Sequence, residues 1–310
     1  MDNQCVIFTV DTESDNQWGI NNYQTTENAK YIPRFQTMCE NYGIIPVYLV
    51  DYSMSNSKFL VDYLNTKLSQ KKCEVGCHIH AWDTPPSHKY DLSEKGRPYL
   101  NEYPTEIKIE KISNITKHLR ERFDSPIVSH RAGRWAMDDD YFQILNSFGY
   151  MTDCSFTPGI NWDRQIGYEM GGSDYSAYRC EPIAIPDTDI LEVPMTIAKL
   201  HCFTWDKKTT ITANTKRFIK SILGRNIWLR PALNSEYEME RLIEHSVKSK
   251  MQYIEFMIHS SELMPSGSPY FKNTSDIDVL YEVLEKVFRF IAEIGFKGIS
   301  LNDFQERYRR

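Results

Sequence analysis

Val6-Ile7-Phe8-Thr9-Val10 running into Asp11-Thr12-Glu13 is the stretch that decides the fold class. The apolar run from Cys5 to Val10 has the length and β-branched character of a strand, and it stops at a carboxylate far short of a membrane span or a signal-peptide core. The same pattern recurs along the chain. Ile44 to Val50, Glu74 to His80, Pro126 to His130 and Tyr253 to His259 read as further strands. Between them Tyr31 to Tyr42, Lys58 to Lys71, Thr105 to Phe123 and Asp139 to Phe148 carry helical spacing. Ser235-Glu236-Tyr237-Glu238 is a capping box that opens a helix to about Lys250. Another helix starts near Thr274, stacks Ile277, Leu280, Leu284, Val287, Phe288, Ile291 and Ile294 on one stripe, and ends at Gly295. Strands alternating with helices over the whole length predict an α/β fold with a parallel sheet or barrel and helices outside. No Pro/Gly/Ser-rich linker divides residues 1–310, which are read as one domain with an irregular insertion at about 162–234.

Composition narrows the function. The 36 basic and 42 acidic residues give a net charge of −6, so the chain has no electrostatic footprint for nucleic acid or an anionic membrane. A mean hydropathy of −0.50 fits a soluble protein, and the acid-bearing start Met1-Asp2-Asn3-Gln4 predicts a cytoplasmic one. Seven scattered cysteines form neither a disulfide framework nor a CxxC pair, and most are expected reduced and buried. The basic clusters Lys71-Lys72, Lys207-Lys208 and Arg307 to Arg310 read as solvated faces or a tail, and Lys216, Arg217, Lys220 and Arg225 as a helix face.

In parallel α/β folds the carboxyl ends of the strands converge on the ligand site. Four strands here end in chemistry-bearing residues: Asp11 and Glu13, then His78 and His80, then His130-Arg131, then His259. Asp11 and Glu13 are two apart in extended chain and leave the same face, as do His78 and His80. Two imidazoles and a carboxylate are the ligand set of a catalytic divalent site that keeps a position open for water, with zinc the usual occupant. The second carboxylate is then free to act as a base.

Thr9-Val10-Asp11-Thr12-Glu13, Glu74 to Trp82, His130 to Trp135 and Met257 to Leu263 occur in the order of the motifs of the polysaccharide deacetylases. The sequence resembles that family, carbohydrate esterase family 4 of the NodB-homology superfamily, and within it the cytoplasmic lipopolysaccharide and O-antigen biosynthesis branch. The resemblance implies a distorted (β/α) barrel and hydrolysis of an N-acetyl group on a sugar in surface polysaccharide biosynthesis. It implies that Asp11 is the general base, that Glu13 and His78 are metal ligands, that Arg131 pairs with the catalytic aspartate, and that His259 protonates the leaving amine. Trp135 matches an aromatic lining the sugar groove. Asp153 and Trp162 match a motif that supports the general acid and forms a wall. The family's second metal-binding histidine falls on Trp82, a departure; His80 substitutes as third ligand, with Asp83 in reserve. Trp82, Trp135 and Trp162 are the candidate substrate-binding aromatics. The implied partner is an acetylated sugar, nucleotide-linked, lipid-linked or within an oligosaccharide, with no nucleic acid and no membrane span. Two other readings stand beside this one: a related C–N hydrolase such as a deformylase or amidohydrolase, and a metal-free carbohydrate-binding protein. Residues 264–271, following His259, are expected to close over the substrate.

Overall fold

The structure, a computed structural model, describes residues 4–18, 24–93, 96–203 and 210–309, without the side chains of 213, 214, 217 and 220. Its centre is β1 (Cys5–Thr12), every residue of which is buried. Against one edge of β1 lies β10 (Tyr253–His259), and against the other lie β2 (Pro46–Val50) and, over Cys5 and Val6 only, β11 (Lys297–Gly298). Beyond β2 follow β3 (Glu74–Ile79), β4 (Ser129–Ala132) and β5 (Thr152–Asp153), all parallel. Next come β7 (Leu191–Glu192), parallel to β5, and β6 (Ile183–Ala184), antiparallel to β7. The sheet order is β10-β1-β2-β3-β4-β5-β7-β6, with β10 and β6 at its two open ends, and the parallel sheet curls into a half-barrel.

Residue parity divides the two faces of this sheet. Val6, Phe8 and Val10 join Tyr48, Val50, Val75, Cys77, Ile79, Ile254, Phe256 and Ile258 in the large outer core. Over that face pack α1 (Ile32–Asn41), α2 (Lys58–Ser69), α3 (Thr105–Arg120), α4 (Asp139–Ser147), α6 (Glu236–Lys248) and α7 (Thr274–Ile294). On α7, Ile277, Leu280, Leu284, Val287, Phe288 and Ile291 are buried, and Phe288 meets the rings of Phe8 and Phe256. The helix ends where Gly295 takes φ 94°, a left-handed conformation that a side chain disfavours. The Ser235/Glu238 capping box opens α6, and an Asn273/Asp276 box opens α7.

The inner face is different. Cys5, Ile7, Val47, Leu49 and Tyr253 form a smaller cluster plugged by Leu301 and Phe304 of α8 (Leu301–Arg309). Toward the carboxyl ends the same face turns polar, with Thr9, Asp11, His78, Arg131 and Glu255 all buried. An apolar plug below and a polar floor above is what places a site in the mouth of the half-barrel.

Strand limits shift in instructive places. The strand expected from Pro126 begins at Ser129, because Pro126 has no N–H and the ladder partners of this strand lie opposite residues 129–132. The stretch 162–234, expected as irregular, holds β6, β7, a two-stranded antiparallel sheet of β8 (Ile197–Leu200) and β9 (Arg225–Trp228), and α5 (Ile211–Leu223). Arg225, read as part of a helix face, starts β9 and pairs with Glu238. Arg307, read as tail, lies within α8; Lys207, Lys208, Arg310 and the side chains of Arg217 and Lys220 lie outside the described residues. All seven cysteines are free thiols, six of them buried. No described helix is long and apolar enough to cross a membrane.

Candidate metal centre and active site

Register brings the predicted residues together. Asp11 lies opposite His259 across the β1–β10 pair, and His78 lies opposite Arg131 across the β3–β4 pair. The ligand atoms of Glu13, His78 and His80 all fall within 4.8 Å of one another, and all three residues are buried. His80 Nε2 is 2.8 Å from His78 Nε2 and 3.2 Å from Glu13 Oε2, while His78 Nε2 is 3.8 Å from that oxygen. Ligand atoms around a tetrahedral zinc stand about 3.3 Å apart, given Zn–N and Zn–O bonds of about 2.0–2.1 Å. The triangle brackets that spacing.

The donor chemistry also suits a cation. His78 Nδ1 sits 3.0 Å from the carbonyl oxygen of Arg131, which fixes the tautomer with its proton on Nδ1 and leaves the Nε2 lone pair facing His80. Two imidazole nitrogens 2.8 Å apart beside a buried carboxylate can share one proton in an N–H···N hydrogen bond, and the same three atoms can turn their lone pairs on a divalent cation. Burial works against ionisation of Glu13, but the neighbouring His259, His78 and His80 hold its carboxyl well below the usual carboxylate range. Asp83, the reserve ligand, is engaged elsewhere: its oxygens accept from Ser53 N at 3.1 Å and Ser53 Oγ at 2.6 Å. Trp82 lies beside His80, its ring 4.5 Å from the imidazole and tilted by 37°.

The loop after β4 presses on this triangle. A Cβ on Gly133 would lie 2.5 Å from His80 Cδ2 and 2.5 Å from the Ile79 carbonyl oxygen, so glycine is required for the loop to pass. Beyond it Arg134 (φ 58°) and Trp135 (φ 66°) are consecutive left-handed residues with side chains, a strain of about 1–2 kcal/mol each. Tyr175 OH ties the turn down by donating to the Trp135 carbonyl.

Next to the triangle, the guanidinium of Arg131 is fully buried. Nη1 donates to Asp11 Oδ1 at 2.6 Å, Nε to the Cys154 carbonyl at 3.0 Å, and Nη2 to Glu255 Oε1. Burial raises the pKa of Asp11, but Arg131, His78 and His259 more than reverse this and keep the carboxyl below its ordinary value. Asp11 Oδ2 remains on the cavity side, 3.8 Å from His259 Nε2. The same His259 nitrogen is 3.8 Å from Glu13 Oε1.

His259 is held from behind by two further groups, Glu262 and Arg230. Nδ1 lies 3.1 Å from Glu262 Oε1 and 3.1 Å from Arg230 Nη2, and these two pair with each other at 3.0 Å. A protonated Nδ1 donates to Glu262; an unprotonated one accepts from Arg230. Either way the ring keeps its orientation and leaves Nε2 for the cavity. Glu262 was within reach of sequence reasoning as the carboxylate three residues after His259, whereas Arg230 follows β9 in a stretch with no motif. Asp153, aligned with a residue supporting the general acid, instead bonds His130 at 2.6 Å, and His130 also bonds Tyr141 OH at 3.0 Å.

All of this opens into a cavity of about 580 Å³ lined by Asp11, Glu13, His78, His80 and His259. Trp82, Trp135 and Trp162 line it too, joined by Trp18 and Tyr270, so the three predicted tryptophans share one space. Trp135 and Trp162 both rest edge-on against Trp228, with ring centres 5.9 and 6.3 Å away. Trp18 packs edge-on to His259 at 5.2 Å and to Tyr270 of the 264–271 loop at 6.1 Å. Aromatic walls of this kind suit the apolar faces of a sugar ring.

No protein-family profile and no curated protein sequence matches the chain. Solved structures do. A Mycobacterium smegmatis protein assigned provisionally as a polysaccharide deacetylase superposes with a TM-score of 0.57 at 12% identity, over 99% of this chain and 90% of that one. The 4-α-glucanotransferase of Thermococcus litoralis reaches 0.51 at 10% identity, over 98% of this chain and 38% of that one. These are likenesses of fold, a mixed α/β half-barrel shared with the first structure. They leave the chemistry to be argued from the side chains, since the second protein's name is that of a glycosyl-transfer enzyme.

Proposed function

We propose that the chain is a metal-dependent hydrolase that removes an N-acetyl group from a sugar. The observation that carries this reading is the meeting of Glu13, His78 and His80 with Asp11 and His259, the last reaching both carboxylates at 3.8 Å through one nitrogen. A lone ligand triangle would serve many chemistries; one with a base and an acid at its edge suits amide hydrolysis.

Glu13, His78 and His80 are the residues that would hold a divalent ion, with zinc the commonest match to two imidazoles and a carboxylate. When bound, such an ion polarises the acetyl carbonyl and makes a water more acidic. Asp11, ionised through Arg131, takes a proton from the attacking water at Oδ2. His259 delivers a proton from Nε2 to the departing nitrogen, with Glu262 and Arg230 keeping the ring in place. The C–N bond breaks, water supplies the oxygen of acetate, and the amino sugar leaves. Trp82, Trp135 and Trp162, with Trp18 and Tyr270, seat the sugar. The finer reading, a cytoplasmic enzyme of lipopolysaccharide or O-antigen assembly, rests on the order of the sequence motifs.

Elemental analysis of the purified protein beside His78→Ala tests the centre. Near one equivalent of zinc or another divalent transition metal, lost in the variant, is expected, together with acetate release from an N-acetylated sugar by the wild type alone. A wild type that takes up no metal on reconstitution would overturn the mechanism.

A further inference from the structure

The charges around the cavity are unevenly answered. Asp11 is paired with Arg131, and Arg230 with Glu262. Arg134 lines the same cavity, half-buried, and has no carboxylate within ion-pair distance among the described residues. Its donors go to the main-chain carbonyls of Arg97 and Ile166, and its guanidinium lies 4.0 Å above the Tyr99 ring. The acid nearest in influence, Glu102, is committed to main-chain donors: it accepts from Tyr99 N and Glu169 N at 2.7 Å, from Met170 N at 2.7 Å and from Tyr168 N at 2.9 Å. Burial accordingly pulls the pKa of Arg134 down, against weaker support from Tyr99 and Glu102.

Arg97 stands in the same wall. Its guanidinium lies 5.0 Å over the Trp82 ring, which in turn is 4.5 Å from the His80 ring. Two ring contacts, of 4.5 and 5.0 Å, therefore connect the His80 imidazole to this second guanidinium through Trp82. The strained turn at Arg134 and Trp135 follows directly on Gly133, the residue pressed against His80, so Arg134 is one peptide bond from the ligand end of the cavity.

Resting on the deacetylase reading, we propose that Arg134, supported by Arg97, is a specificity determinant that binds an oxyanion, phosphate or carboxylate, carried by the acylated sugar close to the scissile amide. Guanidinium groups match both anions through paired N–H donors.

Titration calorimetry on the zinc-reconstituted Asp11→Asn variant, which holds ligand without turning it over, is the test. The probes are N-acetylglucosamine 1-phosphate, N-acetylglucosaminuronic acid and the neutral methyl N-acetylglucosaminide. At least one anion is expected to bind roughly 10- to 100-fold tighter than the neutral sugar. Preference for the phosphate or for the uronate identifies which source of the charge is read. Adding Arg134→Gln should bring the ratio of anionic to neutral affinity close to one, and Arg97→Gln should lower it independently, which covers the case of a misfolded Arg134 variant. Equal binding of all three probes, no binding of any, or discrimination that survives both substitutions would overturn the proposal. Acetate release by the wild type is followed in parallel: anion-selective binding with no acetate from any probe would sink the deacetylase reading and leave the anion wall standing.

Discussion

Glu255 offers a test of the buried network that does not depend on knowing the substrate. It sits in β10, fully buried, with Oε1 accepting from Thr9 Oγ1 at 3.0 Å and from Arg131 Nη2, while Oε2 has no hydrogen-bond partner among the described residues. Burial pushes its pKa from an ordinary 4.5 up to about 7, despite Arg131 and Thr9, with Asp11 adding to the rise. A raised carboxyl binds its proton more tightly in the folded chain than in the unfolded one. The stability contributed by Glu255 is therefore greatest below pH 4.5, falls as pH rises through the window from 4.5 to about 7, and levels off above it. Each tenfold change in proton affinity is worth roughly 1.4 kcal/mol, which makes the full loss roughly 3 kcal/mol, and roughly 2–3 kcal/mol of it falls between pH 5 and 8. Glu255→Gln keeps the shape and cannot ionise, and Asp11 still answers the charge of Arg131. Urea unfolding of both proteins at pH 5, 6, 7 and 8 and fixed ionic strength isolates the effect, because groups common to both cancel in the difference. The variant should gain on the wild type by that amount as pH rises. Two curves that run parallel would mean that Glu255 is ionised throughout this range and that Arg131 holds two full carboxylate charges, which would refute the reasoning.

Gly133→Ala should push His80 out of the ligand triangle, since the Ile79 carbonyl that the new Cβ meets at 2.5 Å belongs to the sheet and cannot give. Zinc affinity, measured against a competing chelator, should fall roughly 10- to 100-fold with the fold intact, and an unchanged affinity would show that the loop yields instead. Phe288→Ala removes the ring that joins α7 to Phe8 and Phe256, at a cost of about 3–5 kcal/mol in urea unfolding. A loss under about 1 kcal/mol would mean that α7 is not what seals the outer face of the sheet.

What the sequence reveals here follows from how locally each feature is determined. Asp11 with Glu13, and His78 with His80, are legible because extended chain repeats every two residues, so each pair must share a face before anything is known of the sheet. The α6 capping box and the left-handed Gly295 are legible for the same reason, being set within one turn of chain. That these pairs meet is a matter of register, and register is non-local: His259 stands opposite Asp11 because β10, from the far end of the chain, takes the edge of β1 that β2 leaves free. Glu255 shows where the pattern misleads. Inside Tyr253 to His259 it reads as an interruption of an apolar strand, yet parity puts it on the inner face with Tyr253 and Met257, directly where Arg131 arrives from β4. Arg97 and Arg230 are invisible for a further reason: each lies in a connection between elements, where neither period applies; Arg134 falls inside the stretch His130 to Trp135 but carries no assigned role there, and only the closed loops bring the three to one wall. The half-barrel floor, which performs chemistry in the proposed mechanism, was thus readable from strand ends, while the rim, where substrate identity would be decided, is written in loops whose side chains acquire meaning only once the chain has folded.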